Sequence, residues 1–394
     1  MTRRGRLTLA LGVAIYLVAR IFGSTPLYPV AIGLVLAVGA GWVVVRLAQG
    51  PIRLRRDVTP TAPTEGDDVL VSVRVERERP VTPPSLALVE RVAKLGERRT
   101  PIRHDRGAYL LPALPRGRYV FERARAVIED PFGLDRVETT VEAPSALLVY
   151  PRIVELESVF SETGAHTHDG RRLLLRRPSG FDLHSVREYE QGESLRKVHW
   201  RSTAKRGELM VKELEDAPRD EIAVLLDGHV PVVGQSFDVQ VRATGSILHA
   251  HARRGRRAVL VVNDAQRHIQ RVHTVAGDWR QALDLLAAVE PTGKAPAAAL
   301  LGEESGVVTR ALEVTVVTAT LDDGLVDRLL HRSLAQRRTA LVYVDLASFG
   351  VGGRAREPRL LRLASGGVPV AVLCRGDDLA EKLSDNLLRQ AAHG

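Results

Sequence analysis

A single cysteine, Cys374, occurs in 394 residues, which excludes an intramolecular disulfide and any metal cage built from thiolates. It follows the apolar run Val368–Leu373, so a buried structural thiol is expected rather than a nucleophile. Acidic residues are missing from the first 56 positions, which hold eight arginines and no Lys, Asp or Glu. Those eight account for most of the net charge of +9, because the remaining 48 basic residues face 47 acidic ones, an excess of one. The basic character is therefore a property of the N-terminal flank, and a nucleic-acid partner is not expected. A Walker phosphate loop, a G-x-S-x-G elbow and an H-E-x-x-H helix are all absent from the sequence. What remains is ordinary for a folded chain, with 45% hydrophobic and 26% charged residues. The length allows two or three domains and an ample core.

Two long apolar runs stand at the start. Leu7–Phe22 is interrupted only by Thr8, Tyr16 and Arg20, and Leu27–Ala48 only by Arg46. Each approaches the roughly 20 residues that cross a bilayer. Gly23-Ser24-Thr25-Pro26 joins them, which predicts a transmembrane helical hairpin over residues 1–56 that contacts the lipid bilayer through both runs. Arg3, Arg4 and Arg6 precede it and Arg46, Arg53, Arg55 and Arg56 follow, and cationic flanks on both sides place both on the cytoplasmic face. The expectation is a multi-pass cell-membrane protein with both termini and its soluble domains in the cytoplasm. A cleaved signal peptide is the competing reading. The sequence shows no small-x-small cleavage site and a second apolar run follows at once, so the hairpin is preferred.

Residues 57–151 read as all-β. Val69, Val71, Val73 and Val75 alternate with Leu70, Ser72, Arg74 and Glu76, the two-residue period of a half-buried strand. Further short runs are Ser85–Val92, Ala108–Leu111, Arg118–Phe121, Ala124–Ile128, Val137–Val141 and Leu147–Tyr150, with Gly66, Pro83-Pro84, Pro115 and Pro131 between them. About seven strands so punctuated predict an immunoglobulin-like sandwich. Glu129-Asp130-Pro131-Phe132-Gly133 is expected to be a structural turn with its Phe buried.

Residues 152–220 have weak periodicity and suit a connecting segment. His166, His168 and Asp169 offer two or three metal donors if the segment is a strand; lacking a further ligand, a solvated loop is expected. Residues 171–207 are the densest in charge, with ten Lys/Arg against four Asp/Glu. Arg187, Glu188 and Tyr189 come first, then a Gln191-Gly192 turn, Arg196, Lys197, the indole of Trp200, and Arg201, Lys205 and Arg206. Arginines beside carboxylates make bidentate, charge-assisted bonds, so the stretch is either an internal salt-bridge network or a site for an acidic ligand. The residue types alone leave both open.

Residues 187–209, REYEQGESLRKVHWRSTAKRGEL, resemble the signature of the domain-of-unknown-function 58 family: R-E-Y, a turn, G-D-D, then D-W, a basic Ser/Ala-rich run and G-x-L. Arg116-Gly117-Arg118-Tyr119 and Asp130-Pro131-Phe132-Gly133-Leu134 are similar to the same family's R-G-x-Y and D-P-F-G-L. The chain departs from the pattern at Gly192-Glu193-Ser194 and at His199, where the family has G-D-D and Asp. The resemblance implies functional coupling to MoxR-type AAA+ ATPases, as an adaptor or assembly factor.

From residue 221 to 394, strands and helices alternate. Ile222–Leu226, Ala258–Val262, Val314–Val317, Leu341–Val344 and Val368–Leu373 are near-continuous apolar strands, and His268–Val275 is an expected edge strand. Helices are expected over Phe237–His251, Trp279–Val289 (with Asp278 as N-cap), Asp323–Leu334 and Asp377–Leu388, with Pro291–Ala299 a linker. This predicts an α/β, Rossmann-like domain with a mainly parallel sheet covered on both faces. Ligands of such sheets bind at the carboxyl ends of strands, where Asp227 lies. The domain resembles von Willebrand factor type A domains, whose Asp-x-Ser-x-Ser pattern holds Mg²⁺ through hard oxygens. Here the run is Asp227-Gly228-His229-Val230-Pro231, so both Ser positions are lost; Thr244 matches a third ligand, but the central pair is missing. No metal and no cofactor are expected, and Asp227 is expected to cap a loop or to pair with a basic residue of the signature.

The leading expectation is a non-enzymatic, membrane-anchored interaction module whose contacts run through Arg187, Glu188, Tyr189, Arg196, Trp200, Arg201 and Lys205. An Arg- and Trp-bearing surface suits a protein partner; in the opposing reading Trp200 and Tyr189 pack against the sheet and the charges satisfy one another. Two alternatives belong to other classes. One is a hydrolase or transferase using Asp182, His184, His199 and Asp227, which requires these side chains to converge within hydrogen-bond reach. The other is metal-dependent ligand binding at Asp227.

Overall fold

The structure is a computed structural model. It describes the whole chain except residues 79–81, 162–182, 189–197, 199, 215–220, 230–233, 304–305, 352–357 and 385–394, and describes only the backbone of residues 183–188 and 211–214. The chain divides into two compact units, residues 1–152 and 153–394.

The first unit opens with helices α1 (Arg3–Phe22) and α2 (Leu27–Ala48). Thr2 caps α1 by accepting from Gly5 N at 3.1 Å. Gly23, at φ +66, ends the helix in the left-handed conformation that glycine adopts without steric cost. The helices lie close, since a Cβ on Gly12 would fall 3.1 Å from Leu34 Cβ, and the Tyr16 and Tyr28 rings meet edge-on at 5.6 Å. Their outer faces stay uncovered, with Leu7, Leu11, Leu17, Ile21, Phe22 and Leu36 all exposed. At 20 and 22 residues, both are long and apolar enough to cross a membrane.

Eight strands follow: β1 (Ile52–Thr59), β2 (Val69–Arg77), β3 (Ser85–Val92), β4 (Gly96–Ile102), β5 (Arg106–Leu111), β6 (Gly117–Glu129), β7 (Arg136–Val141) and β8 (Ser145–Val149). They form two antiparallel sheets, one of order β1-β2-β5 and one of order β4-β3-β6-β7, with β8 also on β6. A single apolar cluster joins Val69, Val71, Val73 and Val75 of one sheet to Leu86, Leu88, Phe121 and Ile128 of the other, with Val45 and Ala48 from the end of α2.

Three expectations are corrected here. The β region begins at Ile52 rather than residue 57, so Arg53, Arg55 and Arg56 are strand residues. Arg53 and Arg55 pair with Glu78 and Glu76 on the exposed side of that strand. Arg56 is buried; its Nε lies 2.6 Å from Glu90 Oε1, and Tyr109 OH donates to Glu90 Oε2 at 2.8 Å. Its planar face lies 5.4 Å from the Phe121 ring centre. Strand β4 is additional, and the separate runs 118–121 and 124–128 are one long strand. Phe132 is not buried: it is 71% exposed, and the turn is held instead by the buried Asp130.

In the second unit β9 (Leu183–Glu188) pairs antiparallel with β10 (Met210–Leu214), and α3 (Trp200–Arg206) lies between them in sequence. The main sheet comprises β11 (Ile222–Asp227), β12 (Ala258–Asn263), β13 (Ile269–Val272), β14 (Glu313–Thr318), β15 (Arg338–Val344) and β16 (Val370–Leu373), in the order β13-β12-β11-β14-β15-β16. All neighbours are parallel except the edge strand β13. Every residue of β11, β12 and β14 is buried, as near-continuous apolar strands covered on both faces require.

The covering helices are α4 (Gly234–Arg253), α5 (Trp279–Ala288), α6 (Ala297–Gly302), α7 (Val307–Arg310), α8 (Asp323–Leu334), α9 (Pro358–Ser365) and α10 (Leu379–Leu383). Helix α4 is buried along most of its length, more than its amphipathic spacing implied. The linker expected over Pro291–Ala299 is shorter, since α6 starts at Ala297, and α6, α7 and α9 are additional. Asp278 precedes α5, but its carboxylate accepts from His273 N and Thr274 N behind it rather than from the helix.

Candidate functional site

Chain order places the first strand of the main sheet, β11, between β12 and β14. The connections leave it in opposite directions, so the switch point lies between β11 and β14, where open α/β sheets take their ligands. Asp227 ends β11, Asn263 ends β12 and Thr318 ends β14. The three converge. Asn263 Nδ2 donates to Asp227 Oδ1 at 2.7 Å, and His229 N donates to the same oxygen at 3.1 Å. Thr318 Oγ1 donates to Oδ2 at 2.7 Å, and Thr320 Oγ1 lies 3.4 Å from it. The carboxylate is 2% exposed.

The chain itself fills the space beside this cluster. Gly293 N donates to Gly228 O at 2.9 Å, and Gly228 N to Asn263 O at 3.1 Å. A Cβ at Gly228 would fall 2.7 Å from Asn263 O, and one at Gly293 2.4 Å from it, so both positions need a residue without a side chain. Asn263 Nδ2 also reaches Ala295 O at 2.8 Å. A cleft of about 650 Å³ lies at the opposite, amino ends of the strands, lined by Arg256, Arg257, Glu313 and Arg338.

A Mg²⁺ ion needs oxygen lone pairs directed at it. Both Asp227 oxygens already accept from N–H and O–H groups, and Asn263 presents its nitrogen. Thr244 Oγ1 is buried and hydrogen-bonds to none of the described residues. The donor set therefore does not fit a cation site of the Asp-x-Ser-x-Ser kind. Of the two roles expected for Asp227, it caps its own loop through His229 N; among the described residues it has no basic partner. Asn263, Thr318 and Thr320 were not singled out from the sequence, yet a signal existed. Asn263 and Thr318, like Asp227, are the first polar residues after an apolar strand core.

In the signature stretch, Met210 pairs with Glu188 and Val211 with Arg187, which ties both ends of the stretch into one β ladder. Met210 and Val198 are buried. Helix α3 ends at Gly207, at φ +78, and Thr203 links it to the ladder by accepting from Met210 N at 3.0 Å. Trp200 is 67% exposed and does not pack against the sheet. Arg201 and Lys205 are exposed, and neither forms an ion pair with a described residue. Tyr189 and Arg196 lie outside the described residues, as do Asp182, His199, His166, His168 and Asp169. Arg187, Glu188 and His184 have described backbones only. Cys374 is half-buried rather than fully enclosed; burial and then the nearby Asp377 and Asp345 carboxylates push its thiol pKa up, which keeps it protonated.

Among solved structures, a conjugative transposon lipoprotein from Bacteroides eggerthii DSM 20697 matches 25% of this chain and 96% of its own at 13% identity, with a TM-score of 0.16. The bacterial hydrophobin BslA matches 25% of this chain and 99% of its own at 12% identity, with a TM-score of 0.17. Likeness at that level says nothing about this fold or its function. The uncharacterized protein YeaD of Bacillus subtilis (strain 168) is 26% identical over 225 residues, 55% of this chain and 54% of that protein. The match thus spans about half of that relative's length. Residues 185–347, which hold the signature stretch, nearly all of its ladder and five of the six strands of the α/β sheet, match the family described as protein of unknown function DUF58.

Proposed function

We propose that this protein is a membrane-anchored interaction module rather than a catalyst. Helices α1 and α2 tether an immunoglobulin-like β sandwich and a von Willebrand-A-like α/β domain to the cytoplasmic face of the cell membrane. Its partner is a MoxR-type AAA+ ATPase, for which it serves as adaptor or assembly factor; this part rests on the family resemblance. The observation that carries the reading is Trp200, 67% exposed on a short helix with Arg201 and Lys205 beside it. A large exposed aromatic ring on the same short helix as two exposed cations, neither in an ion pair with a described residue, has the composition of a protein-binding hot spot. The state of Asp227 supports the same conclusion. A buried carboxylate that already accepts from Asn263, Thr318 and a backbone N–H has three of its roughly four acceptor sites taken, and Thr320 Oγ1 lies 3.4 Å from the remaining one, an arrangement suited to structure more than to acid–base work or a metal.

The test uses the full chain reconstituted in lipid nanodiscs and a purified MoxR-type AAA+ ATPase as the binding partner. Trp200→Ala, and the double variant Arg201→Ala/Lys205→Ala, should each weaken binding by about 2 kcal/mol or more, near thirtyfold in Kd. Their circular dichroism should match wild type, since the replaced side chains are exposed. Absence of binding by wild type would remove the ATPase from the reading, and equal binding by the variants would remove the α3 surface.

A further inference from the structure

Phe132 is the most exposed large apolar side chain of the β region, and it sits on one of its most tightly held turns. Asp130 builds that turn from the inside. Its carboxylate accepts from Phe132 N at 2.8 Å and from Asp135 N, while Asp130 N donates to Asp135 O at 3.2 Å. Gly133, at φ +67, supplies the left-handed corner. Asp130 and Leu134 are both buried, so the ring of Phe132 is exposed although its neighbours are packed.

The same turn is fastened to the helical hairpin. Thr2 N donates to Leu134 O at 3.0 Å, and Thr2 Oγ1 donates to Gly133 O at 2.7 Å. The Met1 ammonium pairs with Asp135. A Cβ on Gly5 would fall 2.1 Å from Leu134 O, and one on Gly41 would fall 3.2 Å from Asp130 Cγ. Two small residues, one on each helix, thus let the turn lie directly against the hairpin. Gly41 fixes the depth of that contact, because the next residue is Trp42, 52% exposed, with the Arg46 guanidinium 5.8 Å from its ring centre. An exposed Trp with an adjacent Arg near one end of an apolar helix marks the headgroup level of a bilayer. Phe132 is two residues from the group that touches the helix at that level. Arg3, Arg4 and Arg6 are exposed in the first turns of α1, where the helix dipole disfavours cations. Anionic lipid headgroups would offset that cost.

We propose that the 130–135 turn is a lipid contact of the β region itself: Phe132 enters the boundary between headgroups and acyl chains beside Trp42, and the three arginines draw anionic headgroups over it. This rests on α1 and α2 spanning a bilayer. The contact accounts for an apolar ring held exposed by a buried aspartate, and it ties the β region to the membrane at a point outside the helices.

Cys374→Ala removes the one native thiol, so single cysteines at Phe132→Cys and Trp42→Cys can carry a nitroxide label on the full chain. Each is reconstituted into vesicles of phosphatidylcholine and phosphatidylglycerol, and collision of the label with oxygen is compared with that of a water-soluble nickel chelate. Both sites should favour oxygen by several-fold. A label at 132 that favours nickel while the one at 42 favours oxygen would overturn the proposal and leave the hairpin reading standing. Preference for nickel at 42 would overturn the hairpin reading itself, and the proposal with it.

Discussion

Asn263 and Thr318 close on Asp227 from its two flanking strands, with Nδ2 2.7 Å from one carboxylate oxygen and Oγ1 2.7 Å from the other. The position where a parallel sheet ordinarily offers its ligand site is here a closed polar junction of three strand ends. A buried carboxylate is tolerable only if its lone pairs are satisfied, and these residues satisfy it. The junction therefore holds the sheet's carboxyl edge together.

Thr318→Val keeps the side-chain shape and removes the hydroxyl. Asp227 Oδ2 is then left with Thr320 at 3.4 Å, a poor substitute. The variant should lose about 1–3 kcal/mol of stability, the cost of an unsatisfied buried acceptor, read as a lower urea midpoint. Addition of Mg²⁺ should leave the wild-type midpoint where it is. A midpoint that rises with Mg²⁺ would restore the cation site that the donor set argues against.

The buried pair of Arg56 and Glu90 makes a second, sharper case. Arg56→Met strands the Glu90 carboxylate, which is 1% exposed, with Tyr109 its one remaining side-chain partner among the described residues. Loss of one member of a buried pair costs about 3–5 kcal/mol. Replacing both members, Arg56→Met with Glu90→Leu, should recover most of that loss, because the apolar pair leaves no charge uncompensated. Equal destabilisation by the single and double variants, measured by denaturant unfolding, would show that the pair is not the source of the effect.

His249 gives the protein a pH dependence of known sign. Its ring lies 4.8 Å from that of Trp279. Burial, and then the charge of Arg253, hold its pKa below the ordinary value. The folded state thus resists protonation that the unfolded chain accepts at about pH 6.5. This contribution is flat above that pH, falls as pH drops through it, and levels off below the folded pKa. His249→Gln removes the titration, so the stability gap between wild type and variant should shift against wild type between pH 7.5 and 5.5. A gap that stays constant over that range would refute the assignment.

Much of the architecture was legible because it is periodic. The alternating valines of β2, the near-continuous apolar cores of the five parallel strands and the two runs of bilayer length each declare their element within a few residues. Strand β1 was missed for the converse reason. In Ile52-Arg53-Leu54-Arg55-Arg56-Asp57 the outward arginines imitate a basic flank, and Arg56 puts a charge at an inward position of the strand where the two-residue period calls for an apolar residue. Partners 34 to 89 positions away, the Glu90 carboxylate with Ala143 O and Ser145 Oγ, make that orientation tolerable. Phe132 failed similarly: an aromatic ring in a turn is ordinarily buried, and its exposure follows from Asp130 taking the inner position.

By itself the sequence determined the strongly periodic helices and strands and that Asp227 ends the first strand of the sheet, since backbone periodicity and side-chain hydrophobicity act over a few residues. Only the tertiary structure decided what Asp227 became. Its partners stand 36 and 91 positions along the chain, and a carboxylate's chemistry depends on which groups reach it in space. Packing of the parallel strands supplied those groups and turned a candidate ligand into a structural clasp.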